Sequence, residues 1–176
     1  MSLRPYQGMQ PKIGDSVYID ESALVIGDVS IGNDSSIWPM TVVRGDVNRI
    51  TIGSRTNIQD GSVLHVTHPH EKHPEGFPLH VGNNVTIGHK VILHACRIDD
   101  NCLIGMGSII MDGAIVQSGV MVGAGSLVAP DKELESGYLY LGSPVKKVRK
   151  LTAEEQGWLE YSATHYVKLK NKYLND

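Results

Sequence analysis

The 176-residue sequence has a single phenylalanine, only two cysteines and no long apolar run. Cys96 and Cys102 do not form a CxxC pair and imply no disulfide framework, so they read as two reduced, buried thiols. A net charge of -3 and a pI near 6.2 give no basic field for nucleic acid or an anionic membrane. No stretch approaches the roughly 18 apolar residues of a membrane span, and Met1 to Gln10 lack the apolar region of a signal peptide. These absences point to a cytoplasmic protein with neither nucleic acid nor membrane as a partner. The length is that of one domain able to bury its own core.

What is present is Val, Ile and Leu together with 19 glycines, a composition that favours short strands and frequent turns over packed helices. The aliphatic residues recur every sixth position: Ile13, Ile19, Val25, Ile31, Ile37 and Val43, then after a three-residue slip Ile52, Ile58 and Leu64. Following a longer break the step resumes at Val81, Ile87 and Leu93. One shortened hexad leads to Ile98, Ile104, Ile110, Val116, Val122, Val128 and Leu134. A period of six fits neither a helix nor a long pleated strand, so the chain must turn once per hexad. Short strands with one inward aliphatic per hexad make a triangular parallel β-helix. Three hexads form a coil of about 18 residues, coils stack about 4.8 Å apart, and roughly seven coils bury their aliphatics against one another as solenoids do.

The organisation expected is a lead-in over 1–12, the β-helix over 13–139 with a His-rich loop at 66–80, an exit loop over 140–151 and a helix over 152–174. The basic run Lys146-Lys147-Val148-Arg149-Lys150 reads as a solvated face. Thr152 and Glu155 form a Thr-x-x-Glu capping box that opens the helix. Trp158, Tyr161, His165 and Leu169 lie on one helical face, expected to pack along the solenoid or a neighbour.

His65 follows Leu64, and His94 follows Leu93, so the two hold the same hexad position. With residues 69–78 thrown out as a loop, they stack on adjacent coils, backbones about 4.8 Å apart, and two imidazoles so placed can share one metal. His89 sits on the preceding face, around a corner that five extended residues span by up to about 17 Å. It does not reach that metal in its own chain, and a neighbour related by threefold rotation would present it, giving a homotrimer with sites at subunit interfaces. Three imidazoles with a fourth position left to water are the open pattern of a catalytic zinc site, which makes hydroxide available near neutral pH. Iron, cobalt or copper would suit the same donors.

The repeat from Ile13 to Leu134 resembles the hexapeptide-repeat family of left-handed parallel β-helices, and the hand is implied by that resemblance alone. Three motifs narrow it: Arg44-Gly45-Asp46, then Asn57-Ile58-Gln59-Asp60-Gly61 running into Leu64-His65, and Gly88-His89-Lys90 with Leu93-His94. In order and spacing they resemble the gamma-class carbonic anhydrase family, in particular its YrdA-type bacterial branch. That resemblance implies reversible hydration of carbon dioxide to bicarbonate by a trimer, with His65, His89 and His94 as zinc ligands and His89 crossing the interface. It also implies that Gln59 aims the attacking oxygen and Asn57 supports it. The same resemblance implies that Arg44 and Asp46 form a subunit-bridging pair able to contact the bicarbonate anion, a task that a bidentate Arg-carboxylate pair fits better than Lys would, and that Asp60 joins the network. Tyr161 is a further, weaker candidate.

Two departures from the family pattern stand out. Val47 replaces an acid after the Arg-x-Asp motif, and the loop after the first ligand offers His68, His70 and His73 in place of an acidic proton shuttle. These histidines can relay protons near neutral pH or simply form a polar, exposed loop. Two other functions stay open: acyl-CoA thioester hydrolysis or acyl transfer, for which Gly142-Ser143-Pro144-Val145-Lys146 resembles the exit motif of hexapeptide acyltransferases, and a non-catalytic, metal-stabilised trimeric scaffold. Fold alone does not choose among them.

Overall fold

The structure, a computed structural model, describes residues 2–175. Its strands wind into a triangular solenoid with three parallel faces. The first face carries Val63–His65, Ile92–His94, Ile109–Ile110 and Leu127–Val128. The second carries Leu79–Val81, Arg97–Ile98, Ile115–Val116 and Glu133–Leu134. Two long strands, Leu24–Ile31 and Val42–Ile52, bend from the first face into the second. The third face stacks Ile19 on Ile37, Ile58, Ile87, Ile104 and Val122 in unbroken parallel register. It holds eight strands, of which the last is antiparallel, leaving seven parallel rungs.

The inward position of the hexad is the core. Val25, Ile37, Ile58, Leu64, Ile87, Leu93, Ile104, Val122 and Leu134 are fully buried, while Ile13 and Ile19 at the open end are only partly covered. Each buried aliphatic stabilises the stack by about 1.5–3 kcal/mol. Close stacking demands glycine at one corner, where a Cβ on Gly53 would lie 2.6 Å from the Gly82 backbone and one on Gly82 would lie 2.3 Å from Asp100 Oδ1. Hydroxyls serve the corners from inside, as Thr56 Oγ1 donates to Gly82 O at 2.7 Å. Among the described residues no buried side-chain polar atom lacks a partner. Cys96 and Cys102 are free and buried, and burial pushes both thiols up, Cys102 to about 12, so neither is a nucleophile at neutral pH.

Residues 140–151, expected as an exit loop, instead contain a strand. Tyr138–Leu141 turns back at Gly142, whose φ of 108° suits glycine, and Lys146–Lys150 pairs antiparallel with it. The exposed backbone edge of the last rung takes a partner from its own chain, and all five residues of that partner are solvent-facing.

Helix α1, Ala153–Tyr173, starts at the expected capping box: Thr152 Oγ1 accepts from Glu155 N at 3.2 Å, and Glu155 Oε2 accepts from Thr152 N at 2.9 Å. It lies on the third face, across the rungs Tyr18–Ile19 to Thr86–Ile87. Of the two packings expected for the Trp158, Tyr161, His165 and Leu169 stripe, along the solenoid or against a neighbour, the first is not what the chain does. Leu159, Ala163 and Lys170 are buried, and Tyr166 and Tyr173 close around Trp38 with ring centroids 5.5 and 5.2 Å away. The Lys170 ammonium, fully enclosed, donates to Ser16 O and to Asp34 Oδ1. Trp158 and Tyr161, 54% and 55% exposed, point away from the solenoid, with Tyr161 tilted against Trp158 and stacked on His165. A lysine on the inner stripe disguised that stripe, and aromatic residues on the outer one mimicked a core face. Among the described residues no helix is long and apolar enough to cross a membrane.

Candidate metal centre

His94 pairs with His65 across adjacent parallel strands, in register with Leu93 on Leu64. Both side chains therefore leave the same face of the solenoid, one above the other. His65 Nδ1 and His94 Nε2 face each other at 3.2 Å. The outer nitrogens are taken: His65 Nε2 meets Asp46 Oδ1 at 3.0 Å, and His94 Nδ1 meets Asp112 Oδ1 at 2.7 Å. Carboxylates on the far ring nitrogens leave the facing ones as lone-pair donors, the usual outer arrangement of metal-bound histidine. Two nitrogens each about 2.0–2.1 Å from a tetrahedral zinc lie about 3.3 Å apart, so the facing pair is spaced as that donor set requires.

Asp46 divides its oxygens. Oδ2 accepts from Arg44 NH1 at 2.5 Å while Oδ1 holds His65. Within one chain the Arg44–Asp46 pair is thus singly bonded, because the second oxygen is engaged by the imidazole. Burial raises the Asp46 carboxyl, but the hydrogen bonds from Arg44 and His65 outweigh it and hold the group below the usual carboxylate range. Asp112 is likewise held low against burial, by hydrogen bonds from Thr67 and His94. Burial, helped by the Arg44 charge, pulls His65 below its ordinary value in spite of Asp46, so the ring is neutral at physiological pH, as a ligand must be. Neither Asp112 nor Thr67 was singled out from the sequence. The available signal was positional, since Asp112 lies 18 residues after His94, one coil further on.

His89 stands elsewhere. Its Nδ1 meets Asp60 Oδ2 at 2.9 Å, the two side chains being 46% and 48% exposed. Next to Asp60, Gln59 Nε2 donates to Asn57 Oδ1 at 3.0 Å, and Asn57 Nδ2 donates to Thr86 Oγ1 at 3.0 Å, all three residues buried. The candidate residues therefore form separate groups within one chain: Arg44, Asp46, His65 and His94 with Asp112, and apart from them Asp60 with His89 and Gln59 with Asn57. Among the described residues no three His, Cys, Asp or Glu side chains are gathered as a metal cage. Tyr161 joins neither group and is half exposed on α1. In the His-rich loop, His70 and His73 exchange backbone hydrogen bonds, and Asn48 Nδ2 ties the loop at Thr67 O and Glu75 O.

Comparison with known proteins gives this geometry its context. A family model described as bacterial transferase hexapeptide (six repeats) matches residues 10–45 and 95–130. Protein YrdA of Escherichia coli is 60% identical over 98% of this chain and 94% of its own length. The chain belongs to the gamma carbonic anhydrase-like, YrdA-type family of hexapeptide-repeat proteins. Within that family, a carbonic anhydrase of Geobacillus kaustophilus is 45% identical over 97% of this chain and 90% of its own. The mitochondrial gamma carbonic anhydrase 2 of Arabidopsis thaliana is 43% identical over 94% of this chain, which spans 59% of that protein. A solved structure titled as a putative acetyltransferase of Bacillus cereus superposes with a TM-score of 0.91 at 44% identity, covering 97% of this chain and 95% of that one. Relatives of comparable likeness thus carry names from two enzyme classes.

Proposed function

We propose that the protein is a gamma-class carbonic anhydrase-like enzyme, a homotrimer that hydrates carbon dioxide reversibly at zinc sites shared between subunits. The reading places it in the cytoplasm. The observation that carries it is the facing pair His65 Nδ1 and His94 Nε2 at 3.2 Å, each ring backed by its own carboxylate. Such a pair needs a third donor, and His89 is exposed on another part of the surface where a second copy can use it. An outward apolar ladder, Val63, Ile92 and Ile109, runs across the strands of His65 and His94 and the next one on the same face, each residue about 40% exposed. Covering it with another subunit removes that surface from water.

A zinc ion held by His65, His94 and the His89 of a second copy would supply a Lewis acid and a nucleophilic hydroxide near neutral pH. The remaining work falls to the chain. Asp46 and Asp112 fix the ring orientation and tautomer of His65 and His94. Arg44 spends one amino group on Asp46 and, with its side chain 42% exposed, keeps other N–H donors for the bicarbonate oxygens. Gln59, anchored through Asn57, orients the attacking oxygen. His68, His70 and His73 lie in the loop that follows Thr67, where they can pass the released proton to buffer.

The test is metal content together with stopped-flow carbon dioxide hydration, on protein prepared without air and loaded with zinc or iron. About one metal per trimer interface and hydration that disappears in His89→Ala support the reading. A metal-loaded trimer without hydration under both metals rejects it. The second reading, acyl-CoA hydrolysis or acyl transfer, is favoured by the names of the solved relatives and is tested by turnover of a panel of acyl-CoA esters.

A further inference from the structure

α1 reaches the buried polar group at Gln59 through one hydroxyl. Ser162 Oγ lies 2.9 Å from Thr86 Oγ1, which continues to Asn57 and Gln59. The surroundings of these groups favour one assignment of donors and acceptors. The amide atom of Asn57 facing Thr86 is also 3.4 Å from Val85 O, a carbonyl that only accepts, so this atom is the NH2 group. Asn57 Oδ1 then faces Gln59 and requires a donor, which fixes the nearest Gln59 atom as Nε2. Thr86 Oγ1 accepts from Asn57, and since Thr86 is buried, Ser162 Oγ at 2.9 Å is the acceptor within reach of its proton. Each hydrogen bond points the same way, and the Gln59 carbonyl Oε1 is the atom left over. It has no partner among the described residues, and since no buried side-chain polar atom there is unpartnered, it reaches the surface of the molecule.

We propose that Ser162 is a positioning residue: by accepting the Thr86 proton it sets the direction of the Ser162–Thr86–Asn57–Gln59 relay and so presents Gln59 to the site as a hydrogen-bond acceptor. This rests on the carbonic anhydrase-like reading for its catalytic meaning, though the relay itself does not. An acceptor at Gln59 holds an O–H and turns the lone pair of that oxygen toward the substrate carbon. A reversed amide would offer N–H instead, and would compete for the same oxygen lone pairs that must attack. Without the Ser162 hydroxyl, the Thr86 proton, buried at 4% exposure, has no acceptor on α1. Its next choice is Asn57, and satisfying it there requires the Asn57 amide, and then the Gln59 amide, to turn over.

The experiment is 15N NMR of the side-chain carboxamides of Asn57 and Gln59 in the parent, Ser162→Ala, Ser162→Thr and Thr86→Val, alongside metal content and carbon dioxide hydration of the metal-loaded trimers. In the parent, the Asn57 carboxamide protons exchange slowly. In Ser162→Ala both carboxamides shift and exchange faster, and kcat falls on the order of tenfold with metal content and KM unchanged. Ser162→Thr, which keeps a hydroxyl, restores both. Thr86→Val gives the same spectral change and guards against a Ser162→Ala protein that fails to fold. Identical Asn57 and Gln59 resonances in the parent and both disrupted variants overturn the proposal. A parent without hydration overturns the functional reading only, because the resonances still decide the relay.

Discussion

The pair His65 and His94 and the single His89 are built in opposite ways. The first two come from stacked strands of one chain, each is braced by a carboxylate, and those carboxylates are themselves held by Arg44 and Thr67. His89 follows Gly88 at a corner and leans on a half-exposed Asp60. The solenoid repeats one position every coil, so it easily sets two ligands 3.2 Å apart on a face and has no means of bringing in a third from around the corner. A rigid repeat supplies pairs, and symmetry between copies supplies the rest.

The largest expected effect tests this division directly. His65→Ala and His89→Ala proteins each lose bound metal when expressed alone. When the two are co-expressed and mix randomly, about a quarter of the interfaces combine an intact His65–His94 pair with an intact His89, and metal analysis finds that fraction. Recovery of none would place all three ligands in one chain.

Next in size, Asp112→Asn weakens metal binding by roughly 10–100-fold in chelator competition, whereas Asp60→Asn, whose partner is already half exposed, weakens it less. An equal loss in both would erase the distinction between a braced and an unbraced ligand.

Acid sensitivity follows from the braced half. His65 titrates below its ordinary value in the folded chain, so between that value and about 6.5 the unfolded chain binds more protons and stability falls as pH drops. Asp46 and Asp112 are depressed carboxylates, whose contribution is present above about 4 and is lost as pH falls through their folded values. Thermal melts of the metal-free protein decline first below about pH 6.5, and His65→Gln removes that first decline alone.

The smallest effect concerns the other half, which α1 supports from behind. Thr152→Ala removes the helix cap at a cost of about 0.5–2 kcal/mol. Hydrogen exchange quickens in α1 while the amides of Val63–His65 and Ile92–His94 keep the protection of the parent.

The repeat was legible because the inward positions keep a six-residue step from Val25 to Leu134 apart from the slip after Val43, the loop after Leu64 and the shortened hexad before Ile98, and the third face stays in register across them. The stacking of His65 on His94 followed from that spacing. Asp112 escaped notice because its partnership with His94 bends across two coils at a corner, where the register places Met111 opposite His94 and aims Asp112 by local backbone geometry. On α1 the stripe that faces the solenoid was hidden by chemistry: a lysine is read as solvent-facing, yet Lys170 finds Ser16 O and Asp34 and closes the helix onto the first coils. Single-chain spacing is equally silent on the division of the Asp46 oxygens between Arg44 and His65, because each residue type is compatible with either partner.

The reversed final strand, Lys146–Lys150, has a consequence for how long such a molecule grows. Parallel rungs stacked at strand spacing are the same construction as a fibril, and an open last rung would template the first rung of another molecule without limit. Here the chain folds Lys146–Lys150 onto that edge in the wrong direction for continuation, and with Lys147 paired to Glu135 and Arg149 to Glu155, Lys146 and Lys150 remain as unneutralised positive charge along it. Such an edge offers no parallel template for a filament.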